Sequence, residues 1–180
     1  LHEQGLEYRF VKDELPEYAA CFGGDIITMT PEEEASFLMR CNEMEVLPSI
    51  HEALESFAQI GIPMYVLSNS GFTANALSIA LERLGIHKYF KKVWSSADFG
   101  KIKPNREFFE LAITSALTDN PAAAKEDIVF VGDMYETDVR GANNAGINVI
   151  WLNYKNEPNK DNLSLHSING PDKLLDTVKT

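Results

Sequence analysis

The chain has 180 residues, a formal net charge of −11 and a pI near 4.8. Its hydrophobic fraction of 44% is that of a globular protein that can build a core. The negative charge argues against nucleic acid and anionic membrane surfaces as partners, because both would repel it. No apolar run is long enough to span a bilayer.

The cysteine pattern and the N-terminal sequence indicate the cellular compartment in which the protein is expected. The pattern of Cys21 and Cys41 does not look like the disulfide framework that stabilises small secreted domains. Each falls in an apolar helical pattern, which predicts a buried, reduced thiol. No signal peptide is visible. We therefore expect a cytoplasmic protein.

Residues 1–45 contain no convincing buried strand. A helix is predicted to begin after Thr30, which serves as the N-cap, with Pro31 in the first turn and Glu33 completing a capping box. Its apolar residues form a stripe that predicts packing against other helices; they are Ala35, Leu38, Met39 and Cys41.

From Val46 onward, strand and helix patterns alternate. Buried strands are predicted at 62–67, 93–94, 128–131, 148–152 and, as a last short strand, 164–168. Helices are predicted at 48–58, 72–84, 106–117, 139–145 and 171–178. This alternation is typical of an α/β fold in which helices cover both faces of a parallel sheet.

The segment around Gly132 carries the strongest chemical signal. The predicted strand ends at Gly132, Asp133 follows at once, and Asp138 comes where the next helix begins. Ligands bind beyond the carboxyl ends of the strands in open α/β sheets, and Mg²⁺ is held by one or two carboxylates with waters and substrate phosphates. We predict Asp133 and Asp138 as metal ligands. Taken alone, the pattern fits a surface turn with solvated aspartates equally well.

Two more polar sites lie at strand ends or just before helices. Ser68 and Asn69 follow the predicted strand 62–67, where they can hold an oxyanion and where the amides that open the next helix favour negative charge. Alone, they suit an ordinary helix cap better. Lys103 precedes Pro104 in extended backbone, so its ammonium can reach the sheet edge, although most such lysines are solvated. Together with the aspartate pair, these residues predict a phosphate-and-magnesium site.

Three segments, in this order and spacing, resemble the second, third and fourth motifs of the haloacid dehalogenase-like hydrolase superfamily. They are Val66-Leu67-Ser68-Asn69, Lys103-Pro104, and Gly132-Asp133 with Asp138. The resemblance runs from about Val46 to the C-terminus. It implies a Rossmann-like core over 46–180 and a partial helical cap over 1–45.

The same resemblance implies a Mg²⁺-dependent phosphohydrolase that acts on a small phosphorylated metabolite through a phospho-aspartate. Ser68 and Lys103 would be the catalytic residues of this chain, and together with Asn69 they would bind the phosphate. Ser68 would bind the phosphoryl group and Lys103 would steady nucleophile and phosphate. Asp133 would ligate the metal and Asp138 would support the metal shell.

The first motif of the family, DxDxT at the end of an N-terminal strand, is not found in the sequence. The nearest candidate, Asp25-Ile26-Ile27-Thr28, lacks the second aspartate and is better explained as a turn. We expect the strand and its nucleophile to be missing from this chain. In the family that strand lies between the strands of the second and fourth motifs, so these two are not expected to pair here. A second chain or segment is expected to supply it.

A non-catalytic phosphate-binding or interaction module derived from the same fold fits residues 1–180 equally well. A phospho-acceptor receiver domain also combines aspartates, a hydroxyl and a Lys-Pro pair, but it places its acidic residues first in the chain, whereas Asp133 follows Ser68 and Lys103. No GxGxxG segment follows a strand and no Walker phosphate loop is present, which argues against dinucleotide and nucleoside triphosphate sites.

Overall fold

The structure, a computed structural model, describes residues 29–47, 49–159 and 161–178. Asp25 and most of the predicted partial cap lie outside the described residues, so the division into 1–45 and 46–180 stays a prediction. No helix within the described residues combines the length and the apolar character that crossing a bilayer requires.

The described part of the chain alternates helices with strands. Its α-helices are α1 (Pro31–Cys41), α2 (Ile50–Gln59), α3 (Ala74–Arg83), α4 (Ser96–Phe99), α5 (Arg106–Asp119), α6 (Arg140–Ala145) and α7 (Leu174–Val178). Its strands are β1 (Met64–Ser68), β2 (Phe90–Ser95), β3 (Val129–Gly132), β4 (Asn148–Leu152) and β5 (His166–Ile168). Short 3₁₀ turns occur at His87–Tyr89, Lys125–Asp127 and Pro171–Lys173. The predicted α/β class is confirmed.

The helix α1 begins as its sequence predicts. The Glu33 N–H donates to Thr30 Oγ1 at 3.3 Å, and the Thr30 N–H donates to the Glu33 carboxylate at 2.9 Å, which completes the capping box. The prediction of a buried thiol at Cys41 is wrong, because this residue is the last of α1 and is exposed.

All strand pairs in the described part are parallel. β1 pairs with β2, and β4 lies between β3 and β5. The register places Ser68 opposite Ser95 and Gly132 opposite Trp151. Parallel strands present their carboxyl ends at one edge of their sheet, so the loops after β1 and β2 start from one edge and those after β3, β4 and β5 from another.

Helices cover both faces of the three-stranded sheet. On one face, α5 and α6 pack on β3 and β4 through a cluster of apolar residues that includes Phe109, Ile113, Val139, Val149 and Trp151. On the other face, α2 and α7 pack on β4 and β5 through Ala53, Phe57, Ile150, Ile168 and Leu174. Burial of this kind contributes roughly 25 cal/mol per Å² of apolar surface.

The strands β1 and β3 belong to different sheets within the described residues. Leu67 of β1 and Phe130 of β3 both pack against the same apolar cluster, so the two strands are held on one core without pairing. Val129 and Val131, on the other face of β3, are 38% and 37% exposed. This differs from a single continuous sheet, and it agrees with the expectation that the two strands do not pair.

Candidate functional site

A π-helical turn, Tyr135–Val139, connects β3 to α6 and sets the direction of Asp138. Such turns occur frequently at functional sites. The Asp138 side chain points back to the end of β3, where Oδ2 accepts the N–H groups of Asp133 at 3.2 Å and Met134 at 3.1 Å. Asp138 is 4% exposed. Its carboxylate therefore satisfies backbone donors that the end of the strand leaves unpaired.

Gly132 is required by this close approach. A Cβ atom at this position would lie 2.5 Å from both Cβ and Oδ2 of Asp138. Because Asp138 is buried and held by two amides, it cannot easily move aside. Glycine is thus required at position 132 because any larger side chain would clash with Asp138.

Lys103 and Asp138 form a buried ion pair. Lys103 Nζ lies 2.8 Å from Asp138 Oδ1, and the two side chains are 11% and 5% exposed. The ammonium also lies over the Phe130 ring, 5.1 Å from its centroid. A lysine ammonium has three N–H donors, so the bond to Asp138 leaves donors that can serve an anion at the sheet edge.

Asn69 joins the loop after β1 to the backbone of Lys103. Its Oδ1 accepts the Lys103 N–H at 2.7 Å, and its Nδ2 donates to the Lys103 carbonyl at 3.0 Å. The amide is thus engaged with protein on both sides. This gives Asn69 a part in positioning Lys103, and its predicted contact with phosphate stays a prediction.

Two serines at the end of β2 hold the loop that follows Ser68. Ser96 Oγ accepts the N–H of Ser70 at 2.9 Å and donates to its carbonyl at 3.0 Å. Ser95 Oγ donates to the Phe72 carbonyl at 2.5 Å. Both serines are buried. Sequence reasoning missed them, although their position at the carboxyl end of a predicted strand was an available signal.

The amides that open α3 are occupied by carboxylates. The Thr73 N–H donates to Glu34 at 2.7 Å, and the Ala74 N–H donates to Asp98 at 2.7 Å. These amides hold negative charge, as expected, but for these two groups the charge comes from protein carboxylates. The contact of Ser68 and the backbone after it with a phosphoryl group stays a prediction.

Asp133 differs from Asp138 in its surroundings. It is exposed, and its backbone carbonyl accepts the Trp151 indole N–H at 2.9 Å. Within the described residues its carboxylate makes no hydrogen bond or ion pair. Burial and the negative charge of Asp133 together raise the pKa of the Tyr154 hydroxyl above its ordinary value, with burial the larger cause.

The carboxylates at this edge suit Mg²⁺ better than they suit a metal whose ligands all come from the protein. In the part of the chain that the structure describes, no group of three or more histidine, cysteine, aspartate and glutamate side chains converges to hold an ion. Mg²⁺ commonly takes one or two carboxylates and keeps several waters. The exposed carboxylate of Asp133 meets this requirement. The oxygens of Asp138 are already engaged with Lys103 and with backbone amides, so its direct ligation stays a prediction.

Within the described residues, hydrogen bonds and an ion pair link four of the predicted site residues, and Ser68 adjoins them through the chain. Asn69, next to Ser68, bonds the backbone of Lys103, the ammonium of Lys103 pairs with Asp138, and Asp138 accepts the amide of Asp133. The site therefore combines a hydroxyl, a buried ammonium and an exposed carboxylate at the carboxyl edge of parallel strands.

This fold and this edge define an α/β protein that places polar side chains beyond the carboxyl ends of its parallel strands. The sequence model of the haloacid dehalogenase-like hydrolase family matches residues 20–152, which is most of the chain. The chain belongs to that family.

Individual relatives extend the comparison. Pyrimidine 5′-nucleotidase YjjG of Escherichia coli is 34% identical over 113 residues, which cover 63% of this chain and 46% of the relative. Glyceraldehyde 3-phosphate phosphatase of Methanopyrus kandleri is 38% identical over 104 residues, 55% of this chain and 42% of the relative. The chain thus spans about half the length of these relatives.

Among solved structures, a HAD phosphatase from Thermococcus onnurineus superimposes with a TM-score of 0.66 at 22% identity, covering 90% of this chain and 69% of that one. At this level of identity the likeness supports the fold.

Proposed function

We propose that the protein containing this chain is a Mg²⁺-dependent phosphohydrolase that acts on small phosphate monoesters through a phospho-aspartate. The observation that carries the proposal is the buried Lys103–Asp138 pair at 2.8 Å beside the exposed carboxylate of Asp133. A chain with a net charge of −11 opposes the approach of a phosphate overall. A fixed ammonium at one edge is the feature that makes a phosphate site there favourable.

We assign a separate role to each residue of the site. The Ser68 hydroxyl and the backbone after it bind phosphoryl oxygens. Lys103 neutralises negative charge that develops as the phosphoryl group transfers. Asp138 fixes the position of Lys103, and Asp133 would hold Mg²⁺. When bound, the metal would supply electrostatic stabilisation of the phosphoryl oxygens.

The proposal requires a nucleophilic carboxylate and the strand that carries it. A carboxylate nucleophile divides phosphoryl transfer into two easier steps. We propose that a further parallel strand, from outside the described residues, pairs with both β1 and β3 and brings this aspartate to the sheet edge. The support is that β1 and β3 share one apolar core yet belong to different sheets, and that Val129 and Val131, on the other face of β3, are partly exposed.

Amide hydrogen exchange of the intact natural protein tests the added strand. The amides of β1 and β3 that do not bond to β2 or β4 should exchange as slowly as those of β4, which is paired on both sides. If those amides exchange as fast as the amides of surface loops, the added strand is refuted. That result would not bear on the proposed Mg²⁺ site.

The names of two relatives support a substrate class. One is named as a pyrimidine 5′-nucleotidase and the other as a glyceraldehyde 3-phosphate phosphatase. Both names describe the release of phosphate from a small monoester. We therefore propose small phosphate monoesters as the class, with nucleoside monophosphates and triose phosphates as the first compounds to assay.

Release of orthophosphate by the intact protein, with Mg²⁺ and with EDTA, tests the function. We expect turnover that depends on Mg²⁺ and is lost in Lys103→Met. An intact protein that binds orthophosphate through Ser68 and Lys103 but turns over none of these esters would instead be a non-catalytic phosphate-binding module.

A further inference from the structure

The buried carboxylate of Glu34 has no part in the chemistry described above. Glu34 lies on α1 beside Ala35 and close to Leu38, and it is 8% exposed. Its Oε1 accepts the backbone N–H of Thr73 at 2.7 Å, and its Oε2 accepts the Thr73 hydroxyl at 2.6 Å. A buried carboxylate is costly unless it is hydrogen-bonded, and here both of its oxygens are.

Thr73 ends the loop that begins after Ser68. It is the N-cap of α3, where its hydroxyl accepts the N–H of Ala76 at 3.3 Å. The loop is fixed near its start by the two hydrogen bonds between Asn69 and Lys103. At Thr73 it is fixed by Glu34, which lies on a different helix. The loop after Ser68 is thus held between the core and α1.

A second contact between α1 and this loop supports the connection. The rings of Phe37 and Phe72 lie 6.1 Å apart at a tilt of 56°. Farther along α3, the Arg83 guanidinium donates to Ser36 Oγ at 2.9 Å, which joins the same two helices at an exposed site away from the loop. The helix α1 therefore contacts the loop through Thr73 and Phe72, and it contacts α3 away from the loop through Arg83.

From this arrangement we infer that Glu34 is a positioning residue, which couples the placement of α1 to the geometry of the loop that binds the phosphoryl group. Ser70 and Phe72 stay bonded to the buried side chains of Ser96 and Ser95. Loss of the Glu34–Thr73 bonds releases the end of the loop beyond these bonds, and Gly71 then samples positions that bind the phosphoryl group poorly. Small displacements of this kind cost catalysis more than ground-state binding. The inference rests on the proposed phosphohydrolase function.

The length and shape of the side chain matter here more than its charge. In Glu34→Gln, the amide oxygen can still accept from the Thr73 N–H while the amide nitrogen donates to the Thr73 hydroxyl. In Glu34→Asp, the charge is kept but the side chain is shorter and cannot make the same pair of bonds. The glutamine variant should therefore rescue function and the aspartate variant should not.

The test compares these variants in the intact natural protein, with Arg83→Ala as the matched control. We expect Glu34→Ala and Glu34→Asp to lower kcat by about tenfold or more, with a smaller change in KM. Glu34→Gln and Arg83→Ala should remain close to wild type. Equal losses in Glu34→Asp and Arg83→Ala would show that Glu34 contributes only to helix docking, and would overturn the inference.

A readout without turnover separates this inference from the proposed function. If the wild-type protein hydrolyses no phosphate ester, the proposed function fails, and amide NMR signals of Ser70, Gly71 and Phe72 decide the remaining question. Shifts or broadening of these signals in Glu34→Asp but not in Arg83→Ala would support the coupling. Unchanged signals in Glu34→Asp would refute it.

Discussion

Lys103 Nζ lies 2.8 Å from Asp138 Oδ1 with both side chains almost fully buried. The two residues come from different loops, one after α4 and one in the π-helical turn after β3. Their contact therefore joins two loops that come from different strands. Asp138 also accepts the amides of Asp133 and Met134, so the pair fixes the backbone that carries the exposed carboxylate.

Removal of one partner of this pair should destabilise the protein strongly. We expect Asp138→Asn to lower the free energy of unfolding by about 3–5 kcal/mol, because it leaves a buried ammonium without a counter-charge. Urea denaturation measures the change. The control is Lys101→Met, which breaks the ion pair between Lys101 and Glu107. The side chains of this pair are 42% exposed for Lys101 and 68% exposed for Glu107. An effect of Asp138→Asn no larger than that of Lys101→Met would contradict the role of the buried pair.

Gly132→Ala should disturb the site through its backbone. The added methyl group would lie 2.5 Å from the Asp138 side chain. Overpacking of this kind costs about 1–3 kcal/mol, and we expect phosphatase activity to fall as Asp138 and its amide donors shift. Thermal denaturation and kcat measure the two effects.

Gly170→Ala is the matched control for this change. Its added Cβ would meet Oδ1 of Asp172, also at 2.5 Å. Asp172 is exposed and can rotate away. Equal effects of the two substitutions would argue against a special requirement for glycine beside Asp138.

Asp133→Asn should separate metal binding from stability. The Asp133 carboxylate is exposed, so its loss should change the free energy of unfolding by less than about 0.5 kcal/mol. We expect the apparent affinity for Mg²⁺, measured by titration of kcat/KM, to fall by at least about a hundredfold. Asp172→Asn, at another exposed carboxylate, is the control. An unchanged Mg²⁺ titration would remove Asp133 from the metal site.

The ion pair between Glu110 and Lys125 provides a pH-dependent test of stability. The Glu110 carboxylate accepts from Lys125 at 3.0 Å, and this hydrogen bond is the largest cause that holds the pKa of Glu110 below its ordinary value. A lowered pKa in the folded state adds stability above the unfolded pKa of about 4.3. That stability is lost as the pH falls through the folded pKa.

Glu110→Gln should therefore destabilise the protein at pH 7 and have no effect at low pH. Because the Glu110 side chain is 35% exposed, the loss at pH 7 should be at most about 1 kcal/mol. Urea denaturation of wild type and variant at pH 7 and pH 3 measures it. A destabilisation that persists undiminished at pH 3 would mean that the charge of Glu110 is not its source.

The sequence predicts those parts of the fold that depend on local patterns. The strand Asn148–Leu152 has the predicted bounds, and the helix after Thr30 has its predicted capping box. Both follow from features within a few residues, namely a short run of buried β-branched residues and an N-cap with its partner three positions on. The parallel arrangement follows from the alternation of strands and helices.

The details of the site depend on distant contacts and could not be read from such patterns. Nothing local in the sequence indicates that Asp138 turns back to Lys103, because a π-helical turn sets its direction. The carboxylate of Glu34 on the apolar side of α1 was an available signal, since a charged residue next to Ala35 and four positions before Leu38 implies a buried partner. Its partner, Thr73, becomes visible only in three dimensions.

The central claim is that Ser68, Lys103 and Asp133 serve one ligand at one edge of the fold. A crystal structure of the intact protein grown with Mg²⁺ and beryllium fluoride, a mimic of the phosphoryl group, tests it most directly. We predict the metal on the Asp133 carboxylate and the mimic within hydrogen-bonding distance of Ser68 Oγ and Lys103 Nζ. Metal and mimic bound elsewhere, with these three side chains contacting neither, would contradict the claim.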